Sequence, residues 1–419
     1  MLLCLILTQR SAAIRAFRSR GRIGWFAAER CSKLPGQALI HLPRMSSEDA
    51  TRAYEGAARI RVGVVGCGLI AQVMHLPYLT ELRDRFELVG VCDLSPATAE
   101  WCAARYGAAH ALTDAGRLLD LELDLVMVLT GGNHAPLAVA AAESGRHVFV
   151  EKPMALSVAD GERMLDAADR ASVVLAVGNM KRYDPAYERV AELLPALADL
   201  RLVRVTTLES PLAPYVAHYP FAPRAALAPD LLESLEADAE RDVAAALGDV
   251  DETTRWCYRF ILLDNLVHEL NVLRGLLGEP AGVASADLAP AVVAVNLDFA
   301  AAPCHLSWVD LPGIARYRQE FAFYAPDRRV TLRLPSPFLR SVPSEVEVED
   351  GEPGTARSST AVELRGYEEA FKLELLDLHD CIRTGRQPRT SGAEAVRDLA
   401  LCTAIVRAHT TRRPVDLTS

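Results

Sequence analysis

A chain of 419 residues, half of them hydrophobic, can bury a large core, and its length favours two or three domains over one. A formal charge of −10 argues against a nucleic-acid surface, which needs lysine and arginine clustered on one face. Nine scattered cysteines without a CxxC pair give neither a zinc spacing nor a disulfide framework, and no stretch approaches the roughly 18 apolar residues of a membrane span. The expectation is a protein of a reducing, cytoplasmic compartment, with no metal, nucleic-acid or membrane partner.

The first 44 residues differ from the rest, with seven arginines and one lysine against a single acid, Glu29. The apolar run "MLLCLILT" precedes the basic residues, the reverse of a secretory signal. The segment reads as an arginine-rich transit peptide or, preferably, as an upstream extension outside the folded protein, with Met45 as the working start. Residues 1–57 are therefore set apart as a disordered or non-native extension.

From Arg59 the pattern is regular. "IRVGVV" (60–65), "FELVGVC" (86–92), "LDLVMVLT" (123–130), "RHVFV" (146–150) and "SVVLAVG" (172–178) are short β-branched runs with alanine-rich helical stretches between them. Strand alternating with helix implies right-handed crossovers, hence a Rossmann-type doubly wound parallel sheet, assigned to residues 58–182. The first turn, "VVGCGLIA", is a GxGxxA. Gly66 permits the tight turn, Gly68 lets backbone approach a pyrophosphate, and Ala71 keeps the next helix close to its strand. That helix, opening through Leu69 and Ile70, aims free N–H groups and its positive dipole end at phosphates. Asp93 ends the second strand 22 residues beyond Ala71, where a carboxylate accepts ribose hydroxyls and repels a 2′-phosphate. The cofactor expected is NAD, with NADP less favoured; the plainer reading of Asp93 is a turn aspartate before "LSP".

"HVFVEKPMAL" (147–156) places Glu151 and Lys152 at the carboxyl edge of the sheet, where open α/β sheets bind ligands. A lone lysine is usually a solvated one, but here the Glu151–Lys152 pair directly follows the strand run "HVFV", and Pro153 fixes the backbone beside it. The Lys152–Pro153 bond is a candidate for the cis form. Further on, "DNLVHELNVLRGLLG" reads as a helix with apolar residues at 263, 266, 267, 270, 273 and 277 and a stop at Gly278. Asp264 and His268, four apart, can share one face.

"IRVGVVGCGLIA", "GVCDLSP", "GRHVFVEKPMAL" and "DNLVHELNVLRGLLGEP" together resemble the Gfo/Idh/MocA family, which includes glucose–fructose oxidoreductase and inositol dehydrogenase. The closing stretch from "GYEEAFKLELL" to "TAIVRA" resembles the family's last helices. The resemblance implies that Lys152 reaches the substrate hydroxyl, that His268 accepts its proton on oxidation, and that Asp264 supports His268. A histidine suits this work because its ordinary pKa of about 6.5 lets it take and return a proton near neutrality. Lysine is a poorer base at about 10.4, although burial beside an oxidised nicotinamide would lower it, so Lys152 is given hydrogen bonding and oxyanion stabilisation. The plainer reading of His268 is a satisfied core histidine. The family also implies cofactor contacts for Thr130, His134 and Glu151, and substrate contacts for Arg182 and Asn265. The loop "TGGNH" holding Thr130 and His134 is shorter than the family's common form, and Arg182 equally suits a solvated surface. His75, in "AQVMHLP", is read as structural.

Residues 183–419 read as an α+β domain with a mixed, mainly antiparallel open sheet, from "LRLVRVTTLE", "AVVAVNLDFA", "CHLSWVDL", "QEFAFYAP" and "RRVTLRLP". Family members oligomerise through that sheet, which implies a homodimer or homotetramer. "EVEVED" (345–350) is expected to be a charged edge strand. Residues 217–258 replace the family's short approach to DxxxH with a longer, acidic, helical insertion, expected to be a surface element with its acids in water or else a lid. Two classes of function remain: an NAD(P)-dependent oxidoreductase acting on a secondary alcohol or ketone of a sugar, cyclic polyol or sugar derivative, and a non-catalytic ligand sensor of the same fold. An NAD-dependent glycoside-cleaving relative is a variant of the first. Retention of Lys152, Asp264 and His268 together favours an enzyme.

Overall fold

The computed structural model describes residues 58–223 and 227–418, so the expectation for residues 1–57 lies outside the described residues. The first sheet comprises β1 (Ile60–Val65), β2 (Phe86–Cys92), β3 (His110–Leu112), β4 (Leu125–Val128), β5 (His147–Glu151) and β6 (Leu175–Gly178). Its order is β3-β2-β1-β4-β5-β6, and every pairing is parallel. This is the doubly wound arrangement expected, with the order reversing between β1 and β4, where a crevice opens at the strands' carboxyl ends. Helices cover both faces, which is why β4 is apolar at every position rather than alternating.

The second sheet has nine strands in the order β14-β13-β12-β11-β7-β10-β9-β8-β15. They are β7 (Leu202–Glu209), β8 (Gly282–Ala289), β9 (Val292–Asp298), β10 (Pro303–Asp310), β11 (Arg318–Tyr324), β12 (Arg328–Leu334), β13 (Ser344–Gly351), β14 (Ser358–Arg365) and β15 (Val415–Asp416). Only the β7–β10 pair is parallel, so the mainly antiparallel expectation holds. Buried and exposed residues alternate along β9 and β10, as in a sheet with one face against the core.

"EVEVED" is not an edge strand. It lies in β13, and β14 pairs with it along its whole length. The glutamates are matched instead by arginines of β12: Arg329 meets Glu349 at 2.5 Å and Arg333 meets Glu347 at 3.0 Å. Cross-strand ion pairing, not protection of an edge, accounts for the charges.

The chain's last helices return to the first sheet. α9 (Ala370–Thr384) buries Phe371, Leu375, Leu378 and Cys381 in one core cluster with β1, β4 and the helix following β1. α10 (Gly392–Thr411) packs into the other cluster, which joins the opposite face of the first sheet to the second. Each fully buried leucine of this kind contributes about 1.5–3 kcal/mol relative to exposure. Among the described residues no helix is long and apolar enough to cross a membrane.

Candidate active site

The glycine turn is forced by sterics. Gly66 has φ 94°, and a Cβ there would lie 2.7 Å from backbone atoms of Leu129 and Thr130, so only glycine fits where β1 exits beside β4. A Cβ on Gly68 would meet nothing within 4 Å, leaving the open cradle that a pyrophosphate requires. Leu69 and Ile70 begin the following helix on its partly exposed side, and Ala71 is buried against the strand. The turns Ala71–His75 are π-helical and continue as α1 (Leu76–Glu81). At the end of β2, Asp93 Oδ2 accepts from the Cys67 amide at 2.9 Å and Oδ1 from the Ser95 amide at 2.9 Å. The carboxylate is thereby braced at the rim of the turn with lone pairs remaining for a ribose. These residues fit a dinucleotide.

Two residues assigned to the cofactor serve the scaffold. His134 is 1% exposed, with Nε2 2.6 Å from the Thr130 carbonyl and Nδ1 2.9 Å from the Pro153 carbonyl. It ties the end of β4 to the segment after Lys152, and burial lowers its pKa against the pull of the two carbonyls. Its ring has no nitrogen left for a cofactor, while half-buried Thr130 stays at the crevice edge. Glu151 is also buried: Oε1 lies 2.6 Å from His75 Nε2, and Oε2 accepts from the Lys152 amide at 3.0 Å. Gly178 makes room, since a Cβ there would come within 3.1 Å of the Glu151 carboxyl. The structural reading of His75 agrees with its place edge-on to Phe149 and Phe371, with no solvent exposure.

Lys152, joined to Pro153 by a cis peptide bond, crosses from the end of β5 to the second half of the chain. Its Nζ donates to Asp264 Oδ1 at 3.0 Å and to the Asp264 carbonyl at 2.5 Å. Burial alone would lower its pKa, but the charges of Asp264 and Glu151 outweigh burial and hold it above the ordinary value. Without a nicotinamide beside it, Lys152 is thus held as an ammonium.

Asp264 therefore serves Lys152 and not His268. The helix explains the difference: Tyr258–Leu266 is π-helical, and α8 (Val267–Leu277) becomes regular only at Val267, so Asp264 and His268 straddle a change of winding. Asn265 donates to the Phe260 carbonyl at 2.9 Å, bracing that π segment rather than projecting its amide group freely toward a substrate. His268 Nδ1 is buried and has no hydrogen-bond partner among the described residues. Burial first, then the positive charges of Lys181 and Lys152, hold its pKa well below the ordinary value. It is a neutral imidazole, able to accept a proton.

Lys181 was missed in favour of its neighbour. The 3₁₀ turn Met180–Tyr183 sends the two basic side chains to different places. Arg182 is 9% exposed; it donates to the Asn271 carbonyl at 3.2 Å, lies 5.4 Å over the Tyr187 ring, and sits where a Cβ on Gly275 would come within 2.2 Å of it. It braces α8 and does not reach the cleft, contrary to its assignment to substrate. Lys181 is 5% exposed, and its side chain has neither hydrogen bond nor ion pair among the described residues. Burial lowers its pKa, Glu269 and Glu209 oppose that, and Lys152 adds to it. Glu269, on α8, accepts from Thr207 Oγ1 at 2.5 Å and from Gln319 Nε2, fixing that helix to β7 and β11. The polar groups converging here are thus Lys152, Lys181, Asp264, His268 and Glu269. The adjacency of two basic residues in "MKRY" was the available signal, but it did not say which faced inward.

Residues 60–179 match the model of the oxidoreductase family with an NAD-binding Rossmann fold. Inositol 2-dehydrogenase 3 of Saccharopolyspora erythraea is 37% identical over 139 residues, 33% of this chain and 41% of that protein. Inositol 2-dehydrogenase of Ralstonia nicotianae is 28% identical over 225 residues, 52% of this chain and 55% of that protein. The chain thus spans roughly half the length, or less, of these curated relatives. A levoglucosan dehydrogenase solved in complex with NADH is 19% identical and superposes with a TM-score of 0.67, covering 86% of this chain and 100% of that one. At that identity the likeness concerns the fold.

Proposed function

We propose that this chain, whose residues 60–179 match the oxidoreductase family model with an NAD-binding Rossmann fold, is a Gfo/Idh/MocA-type NAD(P)-dependent dehydrogenase or reductase. It moves a hydride between nicotinamide and a secondary alcohol or ketone of a sugar, cyclic polyol or sugar derivative. The observation that carries this reading is the Lys152–Asp264 contact, which brings the exit of β5 onto the helix that bears His268. The inositol dehydrogenases among the relatives support the substrate class.

In this reading Gly66, Gly68, Leu69, Ile70, Ala71, Asp93 and Thr130 hold the dinucleotide, which supplies the hydride acceptor or donor. Asp93 favours NAD, since a carboxylate there repels a 2′-phosphate. Asp264 fixes the Lys152 ammonium, which donates to the reacting oxygen and stabilises negative charge developing on it. His268, neutral and with a partnerless nitrogen, takes the hydroxyl proton on oxidation and returns it on reduction. Lys181 orients a further oxygen of the substrate. Residues 58–182 form the cofactor domain and 183–419 the substrate domain, with the second sheet as the face for self-association into a dimer or tetramer. The seven described cysteines, all buried and free, accord with a cytoplasmic location.

Lys152→Ala is the test. NADH binding, followed by nicotinamide fluorescence, is expected to stay near the parent's value while turnover on a sugar or inositol falls about 10²–10³-fold, the usual loss for one positioned donor. Unchanged turnover would remove Lys152 from the chemistry.

A further inference from the structure

The insertion is fastened to both loops that frame the dinucleotide crevice. At the glycine turn, the Ala222 amide donates to Gln72 Oε1 at 2.8 Å, and Gln72 Nε2 donates to the Cys67 carbonyl at 2.6 Å, inside the GxGxxA itself. Tyr106 donates to the Gln72 carbonyl at 2.9 Å, so the glutamine is held from both sides. At the other loop, "TGGNH", both hydrogens of the Asn133 amide are used: one goes to Asp160 Oδ2 at 2.9 Å, the other to Asp242 Oδ2 at 2.8 Å. Asp242 lies on the insertion's long helix, α6 (Pro229–Leu247). Its neighbours Ala239 and Val243 are buried in the core, and Arg259 grips Glu236 and Glu240 at 2.7 and 3.0 Å. α6 is therefore docked along one narrow face, while Asp230, Glu233, Asp238 and Glu240 stay exposed, as expected of a surface insertion with its acids in water.

From these paired attachments we infer that the insertion positions the two dinucleotide-binding loops, with Gln72 and Asp242 as its positioning residues, and so lengthens the residence of bound cofactor. A neutral amide between Asp160 and Asp242 also offsets the repulsion of two carboxylates, so the loop and the helix hold one another in register. The same segment leads into the π-helical turn that carries Asp264, so the clamp on the cofactor loops is continuous with the helix that bears the acid/base group. The inference rests on the dinucleotide reading above.

The experiment measures NADH affinity and release, by fluorescence titration and by stopped-flow displacement, on the full chain. Asp242→Ala and Gln72→Ala should each weaken binding and speed release about fivefold, the factor corresponding to one net hydrogen bond. Asp242→Asn retains an acceptor for Asn133 and should restore the parent's values. Asp238→Ala, on an outward part of the same helix, should leave them unchanged. If the parent binds NADH and both alanine variants release it at the parent's rate, or if Asp238→Ala has the same effect as Asp242→Ala, the inference is overturned while the dinucleotide reading stands. If the parent binds neither NADH nor NADPH, both fall together.

Discussion

The cofactor crevice and the substrate cleft treat their polar groups in opposite ways. In the crevice, Asp93, Glu151, His134 and Asn133 have hydrogen bonds from the protein, many to backbone. In the cleft, His268 Nδ1 and Glu269 Oε2 are buried without partners among the described residues, and the buried Lys181 side chain takes part in no ion pair there. An unmatched buried polar atom costs about 1–3 kcal/mol, so such atoms persist where something else offsets the cost. The crevice is a finished scaffold that receives one shape of ligand. In the function proposed above, the cleft is organised electrostatically, with its bonds left for a substrate to complete.

If that contrast is right, changes in the cleft act on chemistry and leave cofactor binding alone. The largest expected effect is from His268→Asn: turnover should fall about 10²–10⁴-fold, the usual contribution of a general acid or base, with NADH affinity unchanged by titration. Equal losses in both measurements would erase the distinction between the regions. Next is Asp93→Ser, expected to reduce the preference for NADH over NADPH in competitive titration, because the carboxylate that repels a 2′-phosphate is gone. An unchanged ratio would mean that another group reads the ribose.

Lys181→Met sharpens the electrostatic half of the contrast. Desolvation and the Lys181 and Lys152 charges all hold His268 neutral, so the acid limb of kcat/KM for alcohol oxidation should lie below the ordinary histidine range. Oxidation needs the unprotonated ring, so activity is lost only as pH falls through that depressed value. Removing the Lys181 charge removes one lowering influence and should move the limb toward neutrality, while Lys181→Arg should keep it near the parent's position. A limb unmoved by Lys181→Met would deny the coupling.

Sequence and structure agree best where a local steric requirement is absolute. Gly66 has no substitute at its φ, the strands of the first sheet are apolar because both faces are covered, and Lys152 follows β5 directly. Agreement fails where orientation depends on distant partners. Whether Lys181 or Arg182 faces the cleft is decided by Gly275, almost a hundred residues away, whose missing Cβ leaves space for the Arg182 guanidinium. Asp264 and His268 were expected to pair on an α-helical face, but a π-helical stretch changes the winding between them, and nothing in the four-residue spacing announces it. β8, with three alanines in eight residues, has little strand propensity of its own; β9, β15 and packing by α10 hold it in place. The charges of β13 resembled an edge because cross-strand partners are invisible in one segment.

The smallest predicted effect lies beneath the crevice, where scaffolding itself carries an unmatched group. Glu374 on α9 is buried, and neither of its carboxyl oxygens has a partner among the described residues. Burial, followed by the negative charges of Glu151 and Asp377, raises its pKa well above the ordinary carboxylate value. The folded state therefore holds its proton to higher pH than the unfolded chain, which releases it near the ordinary value of 4.5. Its contribution to stability is therefore full below that value and declines as pH rises toward the folded one. Glu374→Gln keeps the shape and cannot ionise, so the variant should match the parent at pH 4 and be the more stable of the two at pH 8, read from urea midpoints at both values. A variant less stable than the parent at pH 8 would mean that Glu374 is ionised and held by the fold as a charge, and the crevice would then be as electrostatic in design as the cleft.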